Sequence, residues 1–288
     1  MTAAARAEKA PAKVNLTLRV LGRRADGYHD IESLVAFAGV GDALTFAPGG
    51  ALALAVGGPT AAAAGDVADN LVLKAARALG ERVEGLKLGR FTLSKRLPVS
   101  AGLGGGSADA AAALRLLARA NRMAPDDPRL LQAAQATGAD VPVCLDPRAR
   151  LMRGIGDVLS DPLDLPRLFA LLVNPGVAVA TKDVFAALNV PPAEHIAQVA
   201  PPAGPAGLLA EIANGRNDLE GPAIELEPAI AEVLAVLRKL PGCRRARMSG
   251  SGATCFGLFD STRAASAGAR ALRVGYPAWW TRATVLGG

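Results

Sequence analysis

Residues 97–117 read LPVSAGLGGGSADAAAALRLL. Four glycines fall within Gly102–Gly106, Ser107 follows, and an Ala- and Leu-rich run of high helix propensity comes next. An alternating stretch ending in Pro98 precedes them, so the order is strand, glycine-rich turn, helix. That order puts backbone N–H groups at a helix N-terminus, where the dipole favours an anion. Glycine lets the chain take positive φ and come close to a ligand. Ser107 adds a hydroxyl, either to cap the helix or to reach a phosphate or its metal. Asp109 is expected in the first helical turn, where a carboxylate is favoured. A Walker A loop would need a lysine after the glycines, and none is there. A dinucleotide turn would need glycine where Ser107 stands and would open a βαβ unit, whereas several strands come earlier. A plain structural loop stays open on composition.

The rest of the chain narrows the class. Its 288 residues suffice for two domains with a sizeable core. Apolar residues make up 51% and charged residues 20%, ordinary for a globular protein. The longest apolar run, Leu168–Val173, stops at Asn174-Pro175, far short of the ~18 residues that span a bilayer. The N-terminus lacks the apolar core of a secretory signal, so a cytoplasmic location is expected. A net charge of +6 suits a small anionic substrate. The densest basic cluster, Cys243–Met248, lacks the interleaved aromatics of a nucleic-acid surface, and aromatics are only 4% of the chain. Neither nucleic acid nor membrane is an expected partner. Cys144, Cys243 and Cys255 form no C-x-x-C pair and read as buried thiols. His29 and His195 are too few for a histidine-rich metal site.

Periodicity places the elements. Val14, Leu16, Leu18 and Val20 share one face of a strand over residues 12–22. DALTF, ALALAV and residues 85–98 read as further strands. Asn70 is placed to cap a helix over residues 71–79. The helix after the glycines runs to about Ala120, and another is stopped by Gly138. Beyond Asp161-Pro162 come a buried strand ending at Asn174 and a short helix capped by Thr181. A Pro-rich loop with a little helix fills 191–207. A helix ending at Pro241-Gly242, a strand–turn–strand over 245–259, a helix capped by Ser261 or Thr262, and a last strand complete the chain. Without a βαβα rhythm the fold class is α+β in two lobes, divided as 1–160 and 161–288.

LPVSAGLGGGSADAA closely resembles the phosphate loop of the GHMP small-molecule kinases. Ala10–Leu34, Gly138–Leu145 and Arg247–Phe259 resemble other segments of that family, in the family's order. The resemblance implies a two-lobe GHMP kinase fold. Its N-terminal, ATP-binding lobe would be like ribosomal protein S5 domain 2, and its C-terminal substrate and lid lobe ferredoxin-like. It also implies ATP with Mg²⁺, and an acceptor that is a cytidine diphosphate-linked methylerythritol. Homoserine- or mevalonate-type acceptors, or non-catalytic nucleotide binding, are the alternatives.

The resemblance assigns residues too. Lys13 becomes a cation near the acceptor hydroxyl and the transferred phosphate; its bland reading is a surface lysine at a strand start. Asp140 becomes the aspartate that accepts or orients the hydroxyl proton; otherwise it is a turn aspartate beside a helix. Pro142 is expected to press Val141 into extended backbone and so aim that carboxylate. The phosphate cradle takes Pro98, Ala101, Gly102, Leu103, Gly104, Gly105, Gly106, Ser107 and Ala108. Ala108 stands where the family often has a second serine, so Ser107 is the turn's one hydroxyl and the candidate Mg²⁺ contact. Asn70 and Lys95 match positions lining the nucleotide pocket, although Asn70 also reads as a cap. Asn15, Tyr28, His29 and Phe185 fall to the substrate, with Tyr28 and Phe185 stacking on the pyrimidine and His29 bonding its edge. Ser249, Gly250, Ser251 and Gly252 form a turn that brings N–H groups to the substrate or the phosphate loop. Asn217–Glu220 also resembles the family, with no chemical role to give it.

Overall fold

The computed structural model describes residues 6–188, 190 and 202–287. The chain divides into two compact units. One comprises Met1–Ala12, Gly41–Val99 and Gly104–Pro147, and the other Lys13–Val40, Ser100–Leu103 and Arg148–Gly288. Two strands, β1 (Arg6–Asn15) and β3 (His29–Pro48), contribute residues to both.

In the first unit β4 (Ala53–Gly57) runs parallel to β5 (Gly89–Ser94), and β5 runs antiparallel to the C-terminal part of β3, from Ala43↔Ser94 to Pro48↔Gly89. Alternation turns Leu44, Phe46, Phe91 and Leu93 inward, and the Phe46 and Phe91 rings lie 4.6 Å apart. Helices α1 (Leu71–Gly80), α2 (Gly105–Ala120), α3 (Pro128–Thr137) and α4 (Val141–Leu145) complete the unit. Asn70 caps α1 as expected, its Oδ1 accepting the Val72 N–H at 3.0 Å. The small, buried side chains of Ala110–Ala113 let α1 and α4 pack closely on α2.

In the second unit β2 (Arg19–Arg23) and β6 (Arg150–Gly154) pair antiparallel with the N-terminal part of β3, and β7 (Val158–Leu159) pairs with β6. Strands β8 (Leu168–Asn174), β9 (Cys243–Met248), β10 (Cys255–Phe259) and β11 (Trp280–Leu286) form an antiparallel set in the order β11-β8-β10-β9. Helices α5 (Thr181–Ala187), α6 (Gly204–Asn214), α7 (Glu220–Leu226), α8 (Ala229–Lys239) and α9 (Thr262–Gly275) join them. The run β8, α8, β9, β10, α9, β11 is a ferredoxin-like split βαβ, as expected. Its core gathers Leu171, Val173, Val233, Leu234, Leu237, Met248 and Leu272. Ser261 Oγ accepts from Ala264 N–H and caps α9. No helix among the described residues is long and apolar enough to cross a membrane.

Several expectations are corrected. The strand over 12–22 is two strands with a break at 16–18, and its alternation does not separate an inner from an outer face. Lys13, Asn15 and Thr17 are as buried as their apolar neighbours, because both sides of this stretch are covered. Thr181 does not cap α5: Ala180 holds the cap position, and the Thr181 hydroxyl bonds Ser251 instead. Val141 is helical rather than extended, since Pro142 sits in the first turn of α4, where its missing N–H costs nothing. Cys243 is only half-buried, whereas Cys144 and Cys255 are fully so. The elements β6, β7 and α7 are short and had no periodicity to show them. Of the Pro-rich stretch, residues 191–201, including His195, lie outside the described residues.

Candidate active site

In the first unit the glycine run becomes a helix start. Gly104 takes the cap position with φ +59°, a left-handed conformation suited to glycine. The first helical bond runs from Ala108 N–H to Gly104 C=O at 2.8 Å. The N–H groups of Gly105, Gly106 and Ser107 therefore have no acceptor within the helix. Ser107 is the third helical residue, so its hydroxyl is not the cap. Gly106 is exposed, and a Cβ on it would lie 3.4 Å from Leu71, which puts the start of α1 beside this turn. Pro98 is half-buried just ahead of it.

Beneath the turn lies a buried charge group. The Lys95 ammonium donates to Asp42 Oδ2 at 2.5 Å and to Asp109 Oδ2 at 2.9 Å. Asp42 Oδ1 also accepts the Arg96 and Leu97 N–H groups. Asp109 Oδ1, by contrast, is buried without a hydrogen-bond partner among the described residues. Burial pushes the Asp109 carboxyl up to about 7, against the pull of Lys95. Burial opposes the charge on Lys95, but the two carboxylates outweigh it and raise its pKa. Of the two carboxylates sharing this ammonium, Asp109 is the one whose burial favours the protonated form. Asp109 thus lies inside the helix rather than in its first turn, and Lys95 ties it to Asp42.

Asp140 immediately precedes α4, is half-buried, and does not use its side chain to cap that helix. Arg115 of α2 fixes α4 by donating to the Cys144 carbonyl at 2.6 Å. The same guanidinium bonds Glu8 Oε2 and the Lys9 carbonyl of β1. The candidate proton acceptor therefore stands at the start of a short helix whose far end Arg115 holds.

In the second unit the end of β1, the arm Ser100–Leu103 and the turn Ser249–Gly252 meet. Lys13, 4% exposed, donates its backbone N–H to Leu103 C=O at 2.8 Å. The Ser249 hydroxyl accepts the Asn15 N–H at 3.1 Å and donates to Gly102 C=O at 2.8 Å. The Ala101 carbonyl accepts the Thr254 N–H, and Asn15 Nδ2 donates to Ser33 Oγ. Gly102 has φ +72°, and a Cβ there would lie 2.2 Å from the Ser249 carbonyl oxygen, so only glycine fits. Ser251 shares a 2.8 Å hydrogen bond with Thr181. The His29 ring stacks on Phe185 at 4.9 Å, and partial burial and Arg23 lower its pKa. Tyr28 is 61% exposed beside it. Sequence reasoning missed Thr181, Ser33 and Arg247, the last a buried guanidinium held by the carbonyls of Leu16, Ile212 and Gly215. Each acts through a partner distant in sequence, which no local pattern reveals.

Two family models match the chain, GHMP kinases N terminal domain over residues 70–146 and GHMP kinases C terminal over residues 202–278. The fold and the glycine-seated helix start thus define a GHMP kinase. A 4-diphosphocytidyl-2-C-methyl-D-erythritol kinase from Xanthobacter autotrophicus is 59% identical, covering 96% of this chain and 98% of its own. One from Rhodopseudomonas palustris is 56% identical over 99% of this chain and 100% of its own. A crystal structure of 4-(cytidine 5'-diphospho)-2C-methyl-D-erythritol kinase superposes with a TM-score of 0.79 at 36% identity, covering 98% of this chain and 100% of that one. Within the GHMP kinases, the chain belongs to the 4-diphosphocytidyl-2-C-methyl-D-erythritol kinases.

Proposed function

We propose that this chain transfers the γ-phosphoryl group of ATP to the 2-hydroxyl of 4-diphosphocytidyl-2-C-methyl-D-erythritol, in the cytosol, as a step towards isoprenoid precursors by the non-mevalonate route. The observation that carries the chemistry is the start of α2, where consecutive N–H groups on Gly105, Gly106 and Ser107 have no helical acceptor and suit a phosphate. Residues 1–160 serve as the ATP-binding lobe and 161–288 as the substrate and lid lobe.

Phosphoryl transfer passes through a loose transition state, so positioning and charge stabilisation account for most of the acceleration. Pro98 and Ala101–Ala108 cradle the phosphates, with Asn70 and Lys95 bordering the nucleotide. Lys13 supplies positive charge near the acceptor oxygen. Asp140 accepts or orients the hydroxyl proton from the start of α4, whose far end Arg115 holds. Tyr28, His29 and Phe185 take the cytidine: the stacked His29–Phe185 pair is a ready aromatic surface, and exposed Tyr28 is available to cover the base. Asn15 and the turn Ser249–Gly252 meet the rest of the acceptor. Mg²⁺ fits a site with a single protein hydroxyl, because it keeps most of its waters and arrives on the nucleotide. Ser107 would hold it, and when bound it neutralises phosphate charge.

The test is ADP release from ATP and Mg²⁺ with a panel of acceptors. The cytidylated methylerythritol should give strong release, and homoserine and mevalonate none above buffer. Release with homoserine or mevalonate alone would reassign the acceptor, and no release with any acceptor would remove the kinase activity.

A further inference from the structure

The segment Asn217–Glu220 resembles the family and has no chemical role in the reaction as described. It lies next to the site of that reaction and is built as a clamp. Asn217 is 6% exposed. Its Nδ2 donates to the Met248 carbonyl at 2.9 Å and to the Gly250 carbonyl at 2.8 Å, and its Oδ1 accepts the Leu219 N–H at 3.0 Å. Glu220 Oε2 accepts the Met248 N–H at 2.9 Å. Asp218 Oδ2 accepts the Val20 N–H, while Leu18 exchanges backbone bonds with Arg216 and Asp218. One short segment therefore holds the approach to the Ser249–Gly252 turn on one side and the chain following Asn15 on the other.

Met248 pairs with Cys255, the Ser249 N–H bonds the Thr254 carbonyl at 2.9 Å and the Gly252 N–H bonds the Ser249 carbonyl at 3.0 Å, while Asn217 Nδ2 holds the carbonyls of Met248 and Gly250. Gly250 has φ +57°, a conformation that a glycine leaves easily. It faces Gly102 closely, since a Cβ on Gly250 would lie 3.2 Å from the Gly102 carbonyl oxygen. Ser249 then links the turn to Asn15 and Gly102. We propose that Asn217 is a positioning residue for phosphoryl transfer: by holding the Met248 and Gly250 carbonyls it sets the Ser249–Gly252 turn, and through Ser249 the arm that carries Gly102. The proposal rests on the functional reading above. Where geometry dominates the rate, a displacement of about 1 Å costs about a hundredfold.

Asn217→Asp isolates the effect. It keeps the size and the acceptor for Leu219 N–H but replaces the amide that donates to both carbonyls. With the cytidylated acceptor, kcat should fall about tenfold to a hundredfold. KM for ATP should stay within about threefold, because a displaced arm misaligns the bound phosphate without removing the other contacts of its cradle. Val233→Ala, in the α8 core, serves as a control that lowers the melting temperature without touching the turn, and its kcat should stay at the wild-type value. Should Asn217→Asp fail to fold, Asn217→Ser carries the same test. Wild-type kcat in the folded Asn217 variant, or an equal kcat loss in Val233→Ala, overturns the proposal while leaving the kinase reading intact. Absence of turnover by the wild-type chain removes that reading, and the proposal with it.

Discussion

Asp140 and Asp109 are both aspartates close to a helix start, yet their surroundings set them different tasks. Asp140 is half-buried at the start of a short helix, where a carboxylate can meet a hydroxyl. Asp140→Asn keeps the shape and removes the proton acceptor. ATP binding, followed by calorimetry, should persist, while kcat falls at least about a hundredfold, the usual scale for such groups. Wild-type turnover in this variant would remove Asp140 from the mechanism. Asp109 is buried, and its pKa is raised from 3.8 to about 7. A carboxyl whose folded pKa is raised contributes stability below its unfolded pKa and loses it as pH climbs through the folded one. Wild-type stability relative to Asp109→Asn should therefore decline between about pH 4 and pH 7. Urea denaturation of both proteins at about pH 5 and about pH 8 measures this, and a difference that does not change with pH sinks the assignment. The motif around Gly102 pointed to Ser107 as a candidate. It was silent on the protonation of Asp109, which depends on Lys95 and Asp42, partners 53 positions apart.

At the scale of elements, the best-read features are those whose cause is local. Asn70 and Ser261 stand where a capping side chain is needed, and both accept the expected N–H. The glycines after Ala101 announced a turn, and the Ala-rich run announced α2. Thr181 misled because a hydroxyl at a helix start has two uses, and only the neighbouring turn chose Ser251 over the backbone. The stretch over 12–22 misled because alternation marks burial only when one side of a strand meets water. Asn70 carries two proposed tasks, and two substitutions separate them. Asn70→Ala should cost about 1 kcal/mol in a denaturant melt, as a lost cap does. Asn70→Ser keeps a capping oxygen, so it should melt like the wild type and still raise KM for ATP several-fold through the lost amide. An unchanged KM confines Asn70 to capping.

For the whole molecule, mixed helices and strands without a βαβα rhythm indicated α+β. The run from β8 to β11 realises this as a four-stranded antiparallel set with α8 and α9 packed on it. The two compact units draw on interleaved stretches of chain, so β1 and β3 serve both. No composition shift marks such interleaving, because it follows from which strands pair. What the amino-acid sequence determined by itself was the local chemistry: a helix start seated on glycines, its caps, its apolar periodicities and the residue types suited to a phosphate. These depend on neighbours a few positions away. Only the tertiary structure decided that Ser249 bridges Asn15 and Gly102, that Asn217 clamps the turn, and that burial raises the Asp109 pKa beside Lys95. The Ser249–Asn15 bond alone spans 234 positions. Packing brings such groups together, and burial away from water decides which of them bond and which stay charged.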